Sequence, residues 1–367
     1  MQLKIFLEKM TKLKASDLFI TVGRAVCVKV NQNIINLTEE KLTPEQTRKI
    51  AFELMNEEQQ QEFSTKNELN FAIQEDKLGR FRVNVFVQRS YIGLVLRYIK
   101  TKIPTLEELN IKTNIIDFAM AKRGLVIIAG ATGTGKSSTL AAMISYRNNN
   151  STGHIVTIED PIEFVHEHQN SIITQREVGI DTESFEIALK NTLRQAPDVI
   201  LLGEVRTEET MNYAINFAET GHLCLITLHA NNANQALERI INFFPSSRHN
   251  QIWVDLSLNL KAIIAQQLLP TKDEKGLIPA VEILINTPIV ADNIKRGEVH
   301  QIKEFMAKGN EQGMQTFDQS LFHLYKTNKI TYDNALRYAD SANELRLMIK
   351  LDQGSNNDSS LDSVGLQ

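Results

Sequence analysis

The stretch GATGTGKSS, residues 130–138, decides the fold. Gly130, Gly135, Lys136 and Ser137 satisfy the pattern G-x-x-x-x-G-K-[ST], in which backbone N–H groups of a glycine-rich loop surround a phosphate. The apolar run GLVIIAG before the loop predicts a buried strand, and KSSTLAAMISYR after it predicts a helix. A strand, a glycine loop and a helix in this order predict a phosphate-binding loop. An ordinary glycine turn is the alternative.

The predicted cofactors are ATP and Mg²⁺. We expect the ammonium group of Lys136 at the β- and γ-phosphate oxygens, and the hydroxyl of Ser137 at the metal ion. The positive end of the following helix adds to the attraction for phosphate. The predicted nucleotide-binding residues are Gly130, Ala131, Thr132, Gly133, Thr134, Gly135, Lys136, Ser137 and Ser138.

Composition limits the classes of protein. The 367 residues suffice for two domains, and the 42% hydrophobic content is typical of a soluble globular chain. A net charge of −4 argues against non-specific coating of nucleic acid. The two cysteines lack metal-type spacing, which favours a reducing cytosol without disulfides. No apolar run reaches the roughly 18 residues of a membrane-spanning helix.

The chain has a predicted order of four segments: an N-terminal mixed α/β domain over residues 1–100, a linker over 101–113, a nucleotide-binding domain over 114–350, and a disordered polar tail over 351–367. Apolar strands alternate with helices in the second domain, which predicts a parallel, doubly wound sheet with its ligand at the carboxyl ends of the strands. From residue 253 onward we expect mainly helix.

Acidic residues follow two of these strands. Glu204 ends the run DVILLGE, the position where a phosphate-loop fold needs an acid near the metal ion. Glu159, Asp160 and Glu163 lie together in TIEDPIEF, where they suit Mg²⁺ and an attacking water. A solvated acidic turn explains the second cluster equally well.

Histidines and arginines give weaker signals. His222 and His229 flank the strand LCLITL, and either could sense a γ-phosphate or merely cap the strand. Arg80 and Arg82 alternate with apolar residues on the strand GRFRVNVFVQ, and Arg97 lies on the next strand. These arginines could stabilise charge on a phosphate, or could lie on a solvated strand face.

Four segments resemble, in order, the Walker A, Asp, Walker B and His boxes of the type II/IV secretion ATPases: GATGTGKSS, TIEDPIEF, DVILLGEVR and ETGHLCLITLHANNANQALERI. The resemblance extends from SDLFITVG to GMQTFDQSLF. The short N-terminal domain is similar to the PilT branch, the pilus retraction motors. Within it, REVGIDTESFEIALKNTLRQAPDVI and HANNANQALERI look most like the PilU type.

The resemblance implies a hexameric ring of two-domain subunits, each with a PAS-like N-terminal domain followed by a RecA-like P-loop ATPase domain with a parallel sheet. It implies that Arg82 and Arg97 close on the phosphates, that Glu163 orients the attacking water as general base, and that Glu204 is the Walker B acid near Mg²⁺. It also makes His222 a predicted site residue, with His229 less certain.

One segment departs from the family pattern. PilT carries an AIRNLI-like helix near its C-terminal end, whereas this chain reads PIVADNIKRGEV there, with Ala291, Asp292 and Asn293 differing. The resemblance therefore implies an ATP-hydrolysing motor that assists a PilT-type ATPase in type IV pilus retraction. The implied setting is the cytoplasmic face of the inner membrane, with a platform protein as partner and no nucleic acid. A RecA-like nucleic-acid translocase and a non-hydrolysing regulator of PilT are the alternatives.

Overall fold

The structure is a computed structural model that describes residues 2–30, 33–99, 102–111 and 115–358. These divide into two compact units. The first contains residues up to 102 together with 161–166 and 177–184, and the second contains 103–160, 167–176 and the chain from 185 onward. The predicted boundaries at 100 and 114 stay predictions, and residues 100, 101 and 112–114 of the predicted linker region lie outside the described residues.

The first unit packs helices on an antiparallel sheet of order β3-β2-β1-β6-β5-β4. Its elements are α1 (Gln2–Lys12), β1 (Asp17–Ile20), β2 (Cys27–Val30), β3 (Asn33–Asn36), α2 (Pro44–Leu54), α3 (Glu57–Lys66), β4 (Glu68–Glu75), β5 (Gly79–Gln88) and β6 (Tyr91–Ile99). Apolar residues of α1 and of one sheet face form the core, which includes Leu7, Met10, Leu18, Phe81, Val83 and Leu96.

The second unit is built on a seven-stranded sheet of order β13-β12-β7-β11-β10-β8-β9. Its first elements are α4 (Ile115–Ala119), β7 (Gly124–Ala129), α5 (Lys136–Asn150), β8 (Gly153–Glu159), β9 (Ser171–Glu177), α6 (Phe185–Thr192), β10 (Val199–Leu202), α7 (Glu208–Glu219), β11 (Leu223–Leu228) and α8 (Ala233–Ile241). Strands β12, β7, β11, β10 and β8 run parallel, which confirms the predicted α/β fold with a parallel-sheet ATPase domain.

The remaining elements are α9 (His249–Asn259), β12 (Leu260–Pro270), β13 (Leu277–Ile285), α10 (Pro288–Arg296), α11 (Ile302–Lys308), α12 (Phe317–Lys326), α13 (Tyr332–Tyr338) and α14 (Ala342–Asp358). The expectation of mainly helix after residue 253 is wrong for β12 and β13. Strand β12 pairs with β7 in the middle of the sheet, so long-range pairing rather than local pattern sets its conformation.

Helix α14 extends into the segment that the sequence predicts to be a disordered tail. It continues to Asp358 and so includes residues 351–358 of the predicted disordered tail, a correction of that prediction. Leu345 and Ile349, four residues apart, are buried and hold the helix against the unit up to the start of that segment. Residues 359–367 of the tail lie outside the described residues. Within the described residues, no helix combines the length and the apolar character needed to cross a bilayer.

Candidate nucleotide site

The glycine loop lies between β7, whose residues are all buried, and the first turn of α5. At Gly130 a Cβ atom would lie 2.4 Å from Thr134 Oγ1 and 2.8 Å from the carbonyl oxygen of Gln266, so any side chain would displace the loop. The Thr134 hydroxyl donates to the Ala131 carbonyl at 2.9 Å and closes the turn. The loop is therefore shaped by close backbone approach at its first glycine.

The ammonium group of Lys136 lies against the backbone of this loop. Its ammonium group donates to the carbonyl oxygens of Gly130 and Ala131, each at 2.8 Å, and the residue is only 9% exposed. Burial lowers the pKa of Lys136, and the carboxylate of Glu204 opposes that shift. A buried cation whose hydrogen bonds go to neutral carbonyl oxygens attracts a phosphate strongly.

The loop residues fit a phosphate group. Gly133 and Gly135 have positive φ angles of 81° and 90°, and a Cβ at either would meet no heavy atom within 4 Å. Gly135 is the N-cap of α5 and provides no side-chain acceptor for the first N–H groups of the helix. Ser137 is exposed and Ser138 half-buried in the first turn. Free helix N–H groups and open space beside a lysine are what phosphate binding requires.

Glu204 follows β10 and is tied to two basic side chains. Its Oε2 lies 2.6 Å from Arg206 Nη2 and its Oε1 lies 2.9 Å from His229 Nε2. The Arg206 hydrogen bond is the largest cause that lowers the pKa of Glu204, and His229 and Lys136 add to it, while burial opposes it. Glu204 is therefore ionised at neutral pH and lies in the field of Lys136, and its role as an acid near Mg²⁺ stays a prediction.

Glu159, the first acid of TIEDPIEF, also lies at this edge of the sheet. It ends β8, and its Oε1 accepts hydrogen bonds from Thr157 at 2.7 Å and Gln175 at 3.2 Å. A Cβ on Gly203 would lie 3.1 Å from the Cα of Glu159, so the glycine lets β8 and β10 approach closely just before Glu204. The hydrogen bond to Glu204 is the largest cause that raises the pKa of Arg206, and the charge of Asp160 adds to it. The two strand ends thus bring acids close together.

The two histidines lie at opposite ends of β11. His229 follows the carboxyl end and contacts Glu204. His222 precedes the amino end, where its Nδ1 lies 3.1 Å from Thr220 Oγ1 and 3.2 Å from the carbonyl oxygen of Phe217. Within the second unit, the predicted site residue His222 is therefore not brought to the loop, and His229 is. Strands β7 and β11 are parallel neighbours, so their carboxyl ends lie at the same edge of the sheet. The glycine loop follows the carboxyl end of β7, and His229 is the histidine that follows the carboxyl end of β11.

The other predicted residues belong to the first unit. Glu163 is exposed. Arg82 Nε lies 3.4 Å from Glu177 Oε1, and Arg97 Nε lies 2.8 Å from Asp17 Oδ1. Arg82 and Arg97 are cross-strand partners on the sheet face opposite the core. Their predicted roles, and that of Glu163, stay predictions.

Sequence reasoning missed Arg206 and Glu177. Arg206 stands two residues after Glu204 in the sequence GEVR, and that spacing was available as a signal. Glu177 is fully buried, and burial raises its pKa while Arg82 lowers it. No local pattern marks such a carboxylate, because the chain segments that bury it are distant in sequence. Among the residues that the structure describes, no cluster of three or more His, Cys, Asp or Glu side chains forms a metal centre.

Comparison with known proteins identifies the family. Residues 2–358 match the Type II/IV secretion system protein family. The chain is 60% identical to the type IV pilus ATPase PilU of Pseudomonas aeruginosa, with 98% of this chain and 94% of that protein covered. It is 38% identical to the type IV pilus retraction ATPase PilT of the same organism, over 88% of this chain and 94% of PilT.

A solved structure supports the same assignment. The crystal structure of the pilus retraction motor PilT with bound ADP matches with a TM-score of 0.87 at 38% identity, and the match covers 93% of this chain and 98% of that chain. The family likeness read from the four boxes is thereby confirmed, and with it ATPase activity and nucleotide binding. The chain belongs to the type II/IV secretion system protein family, as an ATPase of the branch that contains PilU and PilT.

Proposed function

We propose that this ATPase is a motor that assists type IV pilus retraction and so supports twitching motility. The observation that carries the proposal is the meeting of three strand ends: β7 leads into the loop with Lys136, β10 into Glu204, and β11 into His229. A cation for phosphate and an acid held by two basic groups are the parts that hydrolysis of a triphosphate needs. Identity of 60% with PilU connects that chemistry with the pilus machine.

In this proposal ATP binds with its phosphates on residues 130–138, and Lys136 offsets charge on the β- and γ-phosphate oxygens. Ser137 and Glu204 would hold Mg²⁺, which supplies further charge neutralisation when bound. Glu163 orients the attacking water as general base, and Arg82 and Arg97 stabilise the charge that develops on the phosphate. His229 is added to the predicted residues because it contacts Glu204, while His222 keeps only the support of the family pattern.

The proposed assembly is a homo-hexamer at the cytoplasmic face of the inner membrane, acting with a PilT-type ATPase and a platform protein. The C-terminal departure supports an assisting rather than an independent role. The divergent residues lie on α10, where Asn293 is buried and Asp292 forms an ion pair with Arg296 at 2.6 Å. The helix is thus present, but its side chains differ from those of PilT.

The decisive experiment is Lys136→Ala with Lys190→Ala as matched control. Lys190 is exposed on α6 and pairs with Glu186 at 2.9 Å. We expect Lys136→Ala to abolish ATP binding and hydrolysis, and to fail in restoring twitching to a strain that lacks the gene, while Lys190→Ala behaves as the wild type. Normal hydrolysis by the Lys136 variant would refute the site assignment. ATPase stimulation by single-stranded DNA would favour a translocase instead.

A further inference from the structure

Glu282 is a buried carboxylate in the second unit, on the edge strand β13. It is 2% exposed, and its Oε1 accepts a hydrogen bond from the backbone N–H of Ala233 at 2.8 Å. The backbone N–H of Phe317 also donates to it. Ala233 and Phe317 are the first residues of α8 and α12, so this side chain joins the amino ends of two helices. A carboxylate suits the position because its two oxygens accept both bonds.

Helix α8 leads directly back to the site. His229 stands four residues before Ala233, and Ala230 between them is buried. Asn232 caps the helix by accepting from the Gln235 N–H at 2.9 Å, and the Asn231 N–H donates to Gln235 Oε1 at 3.2 Å. The segment that carries His229 is therefore fixed at one end by β11 and at the other by the start of α8.

We propose that Glu282 is a positioning residue for ATP hydrolysis: by clamping the start of α8 it holds the His229 ring against Glu204. The inference rests on the proposed function, because it requires Glu204 and His229 to act in the site. Glu282 itself does not touch the reacting groups. It acts through its hydrogen bond to Ala233, through the four-residue backbone segment from Ala233 back to His229, and through the contact of His229 Nε2 with Glu204 Oε1 at 2.9 Å.

A neighbouring carboxylate provides a matched control. Asp318, on α12, is 3% exposed and accepts from the backbone N–H groups of Asp340 at 2.9 Å and Ser341 at 3.1 Å, just before α14. It has the same chemistry and comparable burial, but the segment it fixes leads away from β11. Substituting Asp318 and Glu282 in parallel therefore distinguishes a carboxylate that only stabilises the unit from one that also positions His229.

The experiment is a double-mutant cycle on the full-length chain, with kcat for ATP hydrolysis as the readout. It is run above pH 7, because burial raises the pKa of Glu282 to about 7 and the carboxylate form is the one that accepts both hydrogen bonds. Glu282→Gln keeps the shape of the side chain but leaves one acceptor oxygen for two N–H groups. We expect it to lower kcat about ten-fold with ADP affinity changed less than about two-fold. Combined with His229→Ala it should have no further effect, since both variants disturb one interaction. Asp318→Asn should leave kcat unchanged.

Three results would overturn the inference: additive effects of the Glu282 and His229 variants, an equal loss in Asp318→Asn, or full activity in Glu282→Gln. If Glu282→Gln does not fold, Glu282→Asp takes its place, because it keeps the charge but withdraws the acceptor by one methylene. Failure of the proposed function would be seen separately, as hydrolysis that survives Lys136→Ala.

Discussion

The two sheets of this protein place charged side chains in opposite ways. On β5 of the first unit, buried Phe81 and Val83 alternate with Arg80 and Arg82, so the charges lie in the middle of the strand. In the second unit every residue of β7, β10 and β11 is buried and uncharged, and charged groups follow the ends of these three strands. The first sheet has one face away from its core, whereas the second is covered on both faces.

This difference decides whether the charged side chains of each sheet are paired along its strands or meet beyond the strand ends. In the first unit Arg97 pairs with Asp17 across β6 and β1, and Arg82 with Glu177, so charge is compensated by acids of the same unit. In the second unit β10 and β11 pair in register, which brings Glu204 and His229 together just beyond the strands. A parallel sheet buried on both faces leaves its strand ends as the place for chemistry.

The largest effect should come from the strand ends of the second unit. Glu204→Gln removes the charge that Arg206 and His229 hold in place, so we expect kcat to fall by roughly a hundred-fold or more while nucleotide still binds. Glu208→Gln is the control, because Glu208 is half-exposed and pairs with Arg248 at 3.2 Å. Steady-state ATPase assays and ADP titration measure both quantities. Equal activity in the two variants would show that the strand end is not the site.

Alanine substitutions on the two faces of one strand sharpen the comparison of the sheets. On β11, Leu225→Ala and Ile226→Ala should each lower the free energy of unfolding by about 2–5 kcal/mol, because both faces are buried. On β5, Phe81→Ala should cost about 3–5 kcal/mol, whereas Asn84→Ala should cost less than about 1 kcal/mol. Denaturant unfolding measures these values. A tolerated substitution on β11 would contradict the two-sided burial.

Buried titrating groups give the units opposite pH dependence. In the first unit burial lowers the pKa of His166 from 6.5 to about 4, so stability is present above pH 6.5 and is lost as the pH falls through 4. In the second unit burial raises the pKa of Glu282 from 4.5 to about 7, so stability is present below pH 4.5 and is lost as the pH rises through 7. Each slope approaches about 1.4 kcal/mol per pH unit where one proton differs.

Variants that do not titrate test these slopes one at a time. His166→Gln should flatten the dependence between pH 4 and 6.5, and Glu282→Gln should flatten it between pH 4.5 and 7. Denaturant unfolding at each pH provides the measurement. If either substitution left the slope of its own unit unchanged, the assigned group would not be its cause.

The smallest effect on stability should come from the arginine face, the face of the first sheet that carries Arg82 and Arg97. The side chain of Arg97 is 61% exposed but that of Asp17 is only 7% exposed, so Arg97→Ala leaves a buried carboxylate without its ion pair and should lower the free energy of unfolding by about 1–2 kcal/mol. Arg296→Ala is the control, because it removes a pair on α10 in which both side chains are exposed, and it should cost less than about 1 kcal/mol. Loss of ATP hydrolysis without loss of stability would support the proposed role of Arg97. A large destabilisation would mean that the arginine face is structural.

Much of the site could be predicted because its signals are local. The loop is a contiguous pattern, and Glu204 directly follows an apolar strand. The residues around β11 do not distinguish His222 from His229, because the two histidines flank the same strand. The pairing of β11 with β7 distinguishes them, because it places His229 at the edge of the sheet where the glycine loop lies. Strand β12 lies between β13 and β7, and its pairing with β7, more than 130 residues earlier, has no local signal in the sequence.

The sequence by itself determined the phosphate loop, the alternation of strands and helices and the membership of the ATPase family, because each depends on residues adjacent in the chain. The tertiary structure alone decided that Glu177 and Glu282 are buried carboxylates and that His229 meets Glu204. Burial and side-chain contact depend on which distant segments pair, and strand pairing is settled only when the whole core forms.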